Sequence, residues 1–346
     1  MGDMMSEKIK PELKEQAGKL LSHVAGYVGL RTIEIGLQHG LFKEIAKHPQ
    51  GINARDLAER TKMDPFYIQV WTQSAFASQA LELTENESYA LAPHMDKLLL
   101  DEDFPGYMGA MFKMMLQPEL FDLFSENLKS GRRTWWNELS LDFIQAVSNT
   151  GRSFYIRLIP GGISKIPGLN EKLKEGVRVL ELCSGAGRGL IRMANEYPNC
   201  SFVGLDGDAL SNKLTKKRLE EVGIQDKVSL IHSTLEDISL IEEFDVIFIN
   251  ISMHECRDIE KVTQNVYHAL KPKGHFVISD FPFPESINEC RTVPARIMCG
   301  IQLFEALLDD QLLPTKAFID LLNKHEFKNV NAFEITPVHA VTYGMK

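Results

Sequence analysis

From residue 176 onward, short apolar segments alternate with longer segments that have helical spacing. Five of the apolar segments lie at 177–182, 201–206, 227–233, 244–250 and 275–281. Near-continuous apolar strands joined by crossover helices are typical of a parallel sheet that is covered on both faces. Two later runs, NVNAFEIT and VHAVTYGM, fit an antiparallel hairpin that completes the sheet. We therefore expect an α/β fold with a doubly wound, mostly parallel, seven-stranded sheet.

Helical spacing dominates the first part of the chain. Asn53 and the pair Asp64-Pro65 are typical residues at the N-terminus of a helix. A short β-hairpin is predicted around 85–87, between two β-prone runs. Helix, turn, helix and hairpin in this order predict a mainly α, winged-helix-like domain in residues 1–104.

The second helix of this unit, predicted from Asp64 to Glu82, contains neither lysine nor arginine. Phosphate contacts need cations, and the whole chain carries a net charge of −9. The helix instead offers Phe66, Tyr67 and Trp71, which favour burial against protein. We therefore expect a homodimer that forms through the N-terminal domain, and no nucleic-acid partner.

Residues 105–175 form a methionine-rich helical connector, which divides the chain into 1–104, 105–175 and 176–346. The methionines suit core packing, for which this flexible side chain is adaptable, or one wall of a small-molecule pocket. Residue patterns leave both interpretations open.

The chain has five cysteines without a CxxC spacing and no apolar run long enough for a membrane span. Its N-terminus lacks the apolar run of a signal peptide. These features favour reduced thiols in a cytoplasmic protein and predict neither a metal site nor a membrane partner.

The segment VLELCSGAGRG at 179–189 places a glycine-rich turn between a predicted strand and a predicted helix. Gly185 and Gly187 let the backbone turn sharply and approach a ligand without an intervening Cβ. In a doubly wound sheet the ligand lies at the carboxyl ends of the strands, where this loop is expected.

Two ligands compete for such a loop, a dinucleotide and S-adenosylmethionine. The dinucleotide pattern is GxGxxG, whereas this loop has the spacing GxGxG. Glu181 ends the first strand, where a carboxylate would repel a pyrophosphate but can serve the ammonium of an amino acid. Asp206 ends the second strand, where an acid can bind both ribose hydroxyls or act as a simple turn residue. Together these residues favour S-adenosylmethionine.

Six stretches of the sequence, spread over nearly the whole chain, carry a family resemblance. They are GLQHGLFKEIA, LELCSGAGRG, VGLD, FDVIFINISMHECRD, ALKPKGHFVISDF and TKAFIDLLNKHEFKNV. In this order they resemble the class I S-adenosylmethionine-dependent methyltransferases of the small-molecule O-methyltransferase kind, which have a winged-helix dimerisation domain before the catalytic domain. The resemblance implies methyl transfer from S-adenosylmethionine to a small-molecule acceptor.

The resemblance also implies cofactor-binding roles for particular positions. The methionine end would be lined by Glu181, Cys183, Gly185 and Gly187, and the ribose would be held by Asp206. The adenine would meet Thr234 and Leu235, where the family often has an acid followed by an apolar residue. Asn250 stands where plant members carry a lysine near the cofactor, and Cys183 stands where a glycine is usual.

His254 lies where the family has a histidine that removes the proton from the acceptor hydroxyl, a role that suits a group titrating near neutral pH. Asp280 lies where the family has an acid that orients this histidine, and the second flanking acid of the family has no clear counterpart. We expect an apolar acceptor pocket between the domains, lined by Met111, Phe143, Phe154, Met298 and Ile301.

Three alternatives differ in chemistry. The same scaffold also supports C- or N-methylation, in which His254 need not act as a base. A winged-helix regulator could bind S-adenosylmethionine without catalysis, although the helix from Asp64 to Glu82 argues against DNA binding. A nicotinamide-dependent enzyme is the third alternative.

Overall fold

The computed structural model describes residues 12–346, and the first eleven residues, for which we predict no signal peptide, lie outside this range. The chain divides into a compact unit that ends at Lys113 and a second unit from Met114 to Lys346. The three-part division expected from the sequence stays a prediction, because compactness alone does not mark the limits of a functional domain.

The first unit consists of helices and one short hairpin. Its elements are α1 Leu13–Gln38, α2 Leu41–Ala46, α3 Ala54–Thr61, α4 Pro65–Ala77, β1 Leu81–Leu83, β2 Tyr89–Leu91 and α5 Met95–Leu100, with α6 Gly109–Met114 at the boundary between the units. The core includes Phe42 and Trp71, whose ring centroids lie 5.3 Å apart. The indole N–H of Trp71 donates to the carbonyl of Thr32 at 3.0 Å, so this buried polar group is satisfied.

The predicted helix starts in this unit are confirmed. The Asn53 side chain accepts from the backbone N–H of Asp56, and Asp64 caps α4 with Pro65 as its first residue. The predicted hairpin is also present, because β1 and β2 pair antiparallel. The helix predicted to run to Glu82 is too long: it ends at Ala77, since Gln79 has a φ of +59° and the chain then enters β1.

The second unit begins with helices and continues into the α/β region. Its helices before the sheet are α7 Pro118–Asn127, α8 Leu141–Arg157 and α9 Leu169–Glu175. The sheet region contains β3 Arg178–Leu182, α10 Arg188–Glu196, β4 Ser201–Asp206, α11 Ala209–Val222, β5 Val228–His232, β6 Phe244–Asn250, α12 Ile259–Ala269, β7 Leu270–Asp280, α13 Val293–Glu305, α14 Thr315–Lys324, β8 Lys328–Thr336 and β9 His339–Met345.

The seven-stranded sheet has the order β5-β4-β3-β6-β7-β9-β8. Neighbouring strands from β5 to β7 pair in parallel, whereas β9 runs antiparallel to both β7 and β8. The predicted α/β class and the closing hairpin are therefore confirmed. Strand β7 begins earlier than the predicted residue 275, because Leu270 already pairs with Phe244 ahead of a bulge.

Successive side chains of the central strands pack on opposite faces of this sheet. Val179 belongs to the cluster that packs against α9 and α10, while Leu180 belongs to the cluster that packs against α12 and α14. Both faces of the sheet are therefore covered. The strand order places the carboxyl ends of β3 and β6 side by side, at the point where the chain reverses its winding. In such sheets this switch point holds the ligand.

The first unit exposes a set of large apolar side chains on two helices. They are Leu13, Leu20, Leu21, Val24, Tyr27 and Val28 on α1, and Phe66, Tyr67, Val70 and Phe76 on α4. None of the helices in residues 12–346 combines the length and the apolar character needed to cross a bilayer.

Candidate active site

The glycine turn between β3 and α10 is held against neighbouring elements by backbone hydrogen bonds. The N–H of Ser184 donates to the carbonyl of Leu205 at 3.1 Å, and Thr215 donates its hydroxyl to the carbonyl of Gly185 at 2.7 Å. Gly187 has a φ of +75°, and a Cβ there would lie 2.6 Å from Thr215. Glycine at this position lets the turn pack directly against α11.

Gly189 allows the first turn of α10 to approach the end of β3. A Cβ at Gly189 would lie 2.1 Å from an oxygen of Glu181 and 2.4 Å from the ring of Tyr155. The third glycine of the motif therefore makes room for a buried carboxyl group and an aromatic ring.

The Glu181 carboxyl is fully buried, and neither of its oxygens makes a hydrogen bond of good geometry with a described residue, although the Tyr155 side chain and the backbone of Leu190 lie beside it. Burial raises the pKa of Glu181 to about 8, although the neighbouring Tyr155 side chain and the backbone of Leu190 oppose this shift. A buried carboxyl whose neighbours are not cationic fits a ligand that brings a cationic group.

Asp206 lies at the end of β4 with both carboxylate oxygens directed at the glycine turn and the following loop. One oxygen accepts from the N–H of Gly185 at 2.7 Å and the other from the N–H of Asp208 at 2.8 Å. Burial raises the pKa of Asp206, while these two bonds oppose the rise. Each oxygen keeps a second lone pair for a ligand hydroxyl.

The other residues expected at the cofactor lie at or just beyond the carboxyl ends of β3, β5 and β6. Cys183 has a φ of +50°, which explains why glycine suits the position. The Thr234 hydroxyl donates a hydrogen bond to Asp237 at 2.8 Å. Leu235 is buried in the apolar cluster that packs against α12 and α14. Asn250, at the end of β6, accepts a hydrogen bond from the Ser279 hydroxyl at 2.7 Å.

His254 lies in a short helical turn that follows β6, and its side chain is almost fully buried. Its Nδ1 is 2.8 Å from a carboxylate oxygen of Asp280, at the end of β7, and its Nε2 is 3.8 Å from an oxygen of Glu305. Burial opposes the charged imidazolium, but Asp280 and Glu305 together hold the pKa of His254 well above its usual 6.5.

Two further acids stand beside this pair. Burial raises the pKa of Glu255 to about 8, and it raises the pKa of Asp310 to about 7 against the opposing charge of Arg257. Arg257 pairs with Asp310 at 2.8 Å. The cluster therefore concentrates protonatable carboxyl groups around one imidazole.

One ligand atom from each of His254, Glu255 and Glu305 lies within 4.8 Å of the others, a spacing that could hold a divalent cation. The sequence predicted no metal site, whereas these three side chains are possible ligands for one. A metal on Nε2 would prevent His254 from accepting a proton, so the two roles exclude each other.

The structure distributes the predicted pocket residues over several clusters. Phe154 packs edge-to-face on Phe281, whose ring centroid lies 6.1 Å from that of His254. Phe143 packs on Phe304, and Met298 and Ile301 of α13 share an apolar cluster with Met114, Ala146 and Leu312. Met111 is half-buried in the first unit. Phe281 thus connects Phe154 to His254 through ring contacts.

Sequence reasoning missed Glu305 and Tyr155. Glu305 lies at the end of α13, far along the chain from His254, so residue spacing gave no signal for it. Tyr155 occupies the face of α8 that meets Glu181, and it follows the predicted pocket residue Phe154 directly. Helical periodicity on α8 was the one signal that could have pointed to it.

Residues 173–334 match the family described as "Methyltransferase domain". The C-terminal unit contains a methyltransferase domain. The match begins on α9 and runs to β8, so it includes the glycine turn, Glu181, Asp206 and His254. It covers the region in which the cofactor-binding and base residues of the resembling family were expected.

Curated relatives of the methyltransferase domain differ in their acceptors. A malonyl-[acyl-carrier protein] O-methyltransferase of Priestia megaterium is 26% identical over 105 residues, which are 30% of this chain and 37% of that protein. A ubiquinone/menaquinone biosynthesis C-methyltransferase of Psychromonas ingrahamii is 24% identical over 116 residues, which are 32% of this chain and 45% of that protein. The chain thus spans less than half the length of these two relatives.

Solved structures resemble the whole chain in fold. An O-methyltransferase family protein from Burkholderia thailandensis has a TM-score of 0.70 at 14% identity, over 95% of this chain and 98% of that one. Human N-acetylserotonin methyltransferase, solved with S-adenosylmethionine, has a TM-score of 0.66 at 13% identity, over 97% of this chain and 99% of that one. At this identity the likeness concerns the fold, including the helical N-terminal region.

Proposed function

We propose that the protein transfers a methyl group from S-adenosylmethionine to the hydroxyl of a small, largely apolar acceptor, with His254 as the general base. The observation that carries this proposal is the buried His254–Asp280 pair, held at 2.8 Å. His254 lies just beyond β6, the strand that pairs with β3 beside the glycine turn. Nε2 of His254 has no hydrogen-bond partner among the described residues and is therefore the nitrogen available to an acceptor.

The residues around the turn fit this cofactor. Glu181 offers a buried carboxyl to the ammonium at the methionine end, and Asp206 keeps lone pairs for the ribose hydroxyls. When bound, S-adenosylmethionine supplies a methyl carbon that is activated by its sulfonium. The contribution of the chain is to align the acceptor and to remove its proton.

His254 removes that proton only in its neutral form. Asp280 accepts from Nδ1–H, which leaves Nε2 as the basic nitrogen, and it stabilises the imidazolium that forms. Because the pKa of His254 lies well above 6.5, the neutral fraction is small near neutral pH and grows as the pH rises. A strongly basic imidazole in turn suits a weakly acidic acceptor such as a phenol.

The test uses purified protein with labelled S-adenosylmethionine and a panel of phenols, enols and amines. Label should pass to hydroxyl acceptors, and calorimetry should detect the cofactor but not a nicotinamide dinucleotide. Treatment with a chelator should leave turnover unchanged. Loss of turnover on chelation, with recovery on adding a divalent cation, would instead assign His254, Glu255 and Glu305 to a metal.

A second candidate is C- or N-methylation on the same scaffold. The relatives that match the methyltransferase domain include C-methyltransferases, and this favours keeping the alternative. Full turnover of His254→Gln with a carbon or amine acceptor would support it, because such transfers need no proton removal from a hydroxyl by this histidine.

We also propose a homodimer through the N-terminal unit, with α1 and α4 as its contact surface. Their exposed apolar side chains support this, since solvent exposure of so many large apolar groups on two helices is unfavourable. The alternative of a DNA-binding regulator is tested by a mobility-shift assay with genomic fragments. Helix α4, PFYIQVWTQSAFA, offers no cation to phosphate and supports a negative result.

A further inference from the structure

A chain of buried hydrogen bonds connects α8, β9, β7 and β6. Nε of Arg157 donates to Nδ1 of His339 at 3.0 Å. Nε2 of His339 lies 2.7 Å from the Ser279 hydroxyl, and that hydroxyl lies 2.7 Å from Oδ1 of Asn250. His339, Ser279 and Asn250 are all buried, so water does not compete for these bonds.

The donor at the start of this chain determines the direction of every later bond. A guanidinium can only donate, so Nδ1 of His339 must be an acceptor. The proton of the neutral ring then lies on Nε2, which donates to Ser279, and the serine hydroxyl donates to Oδ1 of Asn250. Burial and the nearby charge of Arg157 hold the pKa of His339 well below 6.5, which keeps the ring neutral.

This direction leaves the Nδ2 side of the Asn250 amide facing away from Ser279. Nδ2 is buried and lacks a partner within hydrogen-bonding geometry among the described residues. The Tyr155 hydroxyl neighbours both Asn250 and Glu181. Burial, with the charge of Glu181, keeps the pKa of Tyr155 well above 10, so this hydroxyl retains its proton and can donate to Glu181.

We propose that Arg157, His339 and Ser279 are positioning residues that fix the Asn250 amide with its N–H side toward Tyr155 and Glu181. Every hydrogen bond along this path then has the same orientation, with its donor on the side of the guanidinium and its acceptor on the side of the Glu181 carboxylate. This inference rests on the proposed use of S-adenosylmethionine, because Glu181 acts on the cationic amino-acid end of that molecule.

The consequence concerns the ionisation of Glu181. Its carboxylate is opposed by burial and by the charge of Asp206, and it is supported by Tyr155 and the backbone of Leu190. When the N–H side of Asn250 faces the Tyr155 oxygen, the Tyr155 proton is left free to point at Glu181, which favours the carboxylate form. A rotated amide would present its oxygen to Tyr155 and turn that proton away.

The experiment compares two ligands by calorimetry. S-adenosylhomocysteine carries the ammonium, whereas 5′-methylthioadenosine lacks the amino-acid end. Ser279→Ala and His339→Leu should weaken binding of S-adenosylhomocysteine about three- to tenfold and leave binding of methylthioadenosine unchanged. His339→Gln, which keeps one acceptor and one donor, should bind as the wild type does.

A pH titration of S-adenosylhomocysteine binding adds a readout that a structural role would not change. Binding should weaken as Glu181 is protonated, and in Ser279→Ala the midpoint should move to higher pH. The proposed positioning of Asn250 by this chain of hydrogen bonds is wrong if both variants bind like the wild type. It is also wrong if they lose both ligands equally while melting at the wild-type temperature. If the folded wild type binds neither ligand, the proposed function is wrong, and the proposed positioning of Asn250 is wrong with it.

Discussion

At the scale of single residues, the environment of His254 decides what this histidine can do. It is buried between Asp280 and Glu305, with Glu255 and Asp310 close by. A buried charge without a partner is strongly unfavourable, so the flanking carboxylates and the imidazolium stabilise each other. The same pairing makes His254 a stronger base than a histidine in water.

The substitution His254→Gln tests the base directly. We expect kcat to fall about 100- to 10,000-fold, the usual contribution of a positioned general base. The affinity for S-adenosylhomocysteine should stay the same, because His254 acts on the acceptor. His268→Gln, an exposed histidine on α12, is the matched control and should keep full activity. Unchanged turnover of His254→Gln with a hydroxyl acceptor would contradict the base role.

The pH dependence follows from the direction of the His254 shift. Its pKa is raised, so the neutral, active form accumulates only as the pH passes upward through that pKa, and kcat should increase into the alkaline range. Glu305→Gln removes one of the acids that raise this pKa. The rising limb should therefore move to lower pH, as measured by kcat between pH 5 and 10.

The exposed carboxyl of Glu334 provides the comparison for this profile, since Glu334→Gln should leave it in place. A rising limb at the ordinary histidine pKa in the wild type, unmoved in Glu305→Gln, would mean that Glu305 does not act on His254.

At the scale of elements, the turn between β3 and α10 shows how backbone conformation and packing act together. Three of its residues, Cys183, Gly185 and Gly187, have positive φ values. The pattern VLELCSGAGRG predicted the turn because glycine spacing reports local backbone requirements. It could not predict that α11 would press Thr215 against Gly187, because that contact depends on how a later helix packs.

Gly187→Ala and Gly223→Ala form a matched pair. Both glycines have a φ near +70°, but a Cβ at Gly223 meets no described atom within 4 Å, whereas one at Gly187 lies 2.6 Å from Thr215. Gly223→Ala should cost about 1–2 kcal/mol of stability from backbone strain alone. Gly187→Ala should cost more and should also abolish the stabilisation by S-adenosylhomocysteine.

Urea unfolding with and without S-adenosylhomocysteine measures both effects. Stabilisation by a ligand reports its binding to the folded state, so loss of this increment isolates the binding defect from the loss of stability. Equal costs in the two variants would show that the contact with Thr215 has no energetic weight.

At the scale of the whole molecule, α1 and α4 of the first unit together expose ten large apolar side chains to solvent. We expect a homodimer by sedimentation equilibrium. Leu20→Lys combined with Val24→Lys should shift it to the monomer, because two cations would be buried in the contact. Ile241→Lys, at an exposed apolar residue of the second unit, should leave the dimer intact.

A wild-type protein that sediments as a monomer at micromolar concentration would contradict the dimer. An unchanged dimer in the double variant would instead place the contact outside this part of α1.

The sequence by itself determined the features that neighbouring residues control. Alternation of apolar runs and helices specified the α/β class, Asn53 and Asp64 specified helix starts, and the glycine spacing specified the turn after β3. These features depend on local hydrogen bonds and on residue periodicity, which are readable along the chain.

Only the tertiary structure placed Glu305 beside His254 and joined Arg157, His339, Ser279 and Asn250 into one chain of bonds. These residues lie on separate elements, and their proximity results from the order of the strands and the packing of α8 and α13. No local pattern encodes such proximity, because it is the sum of many apolar contacts between distant parts of the sequence.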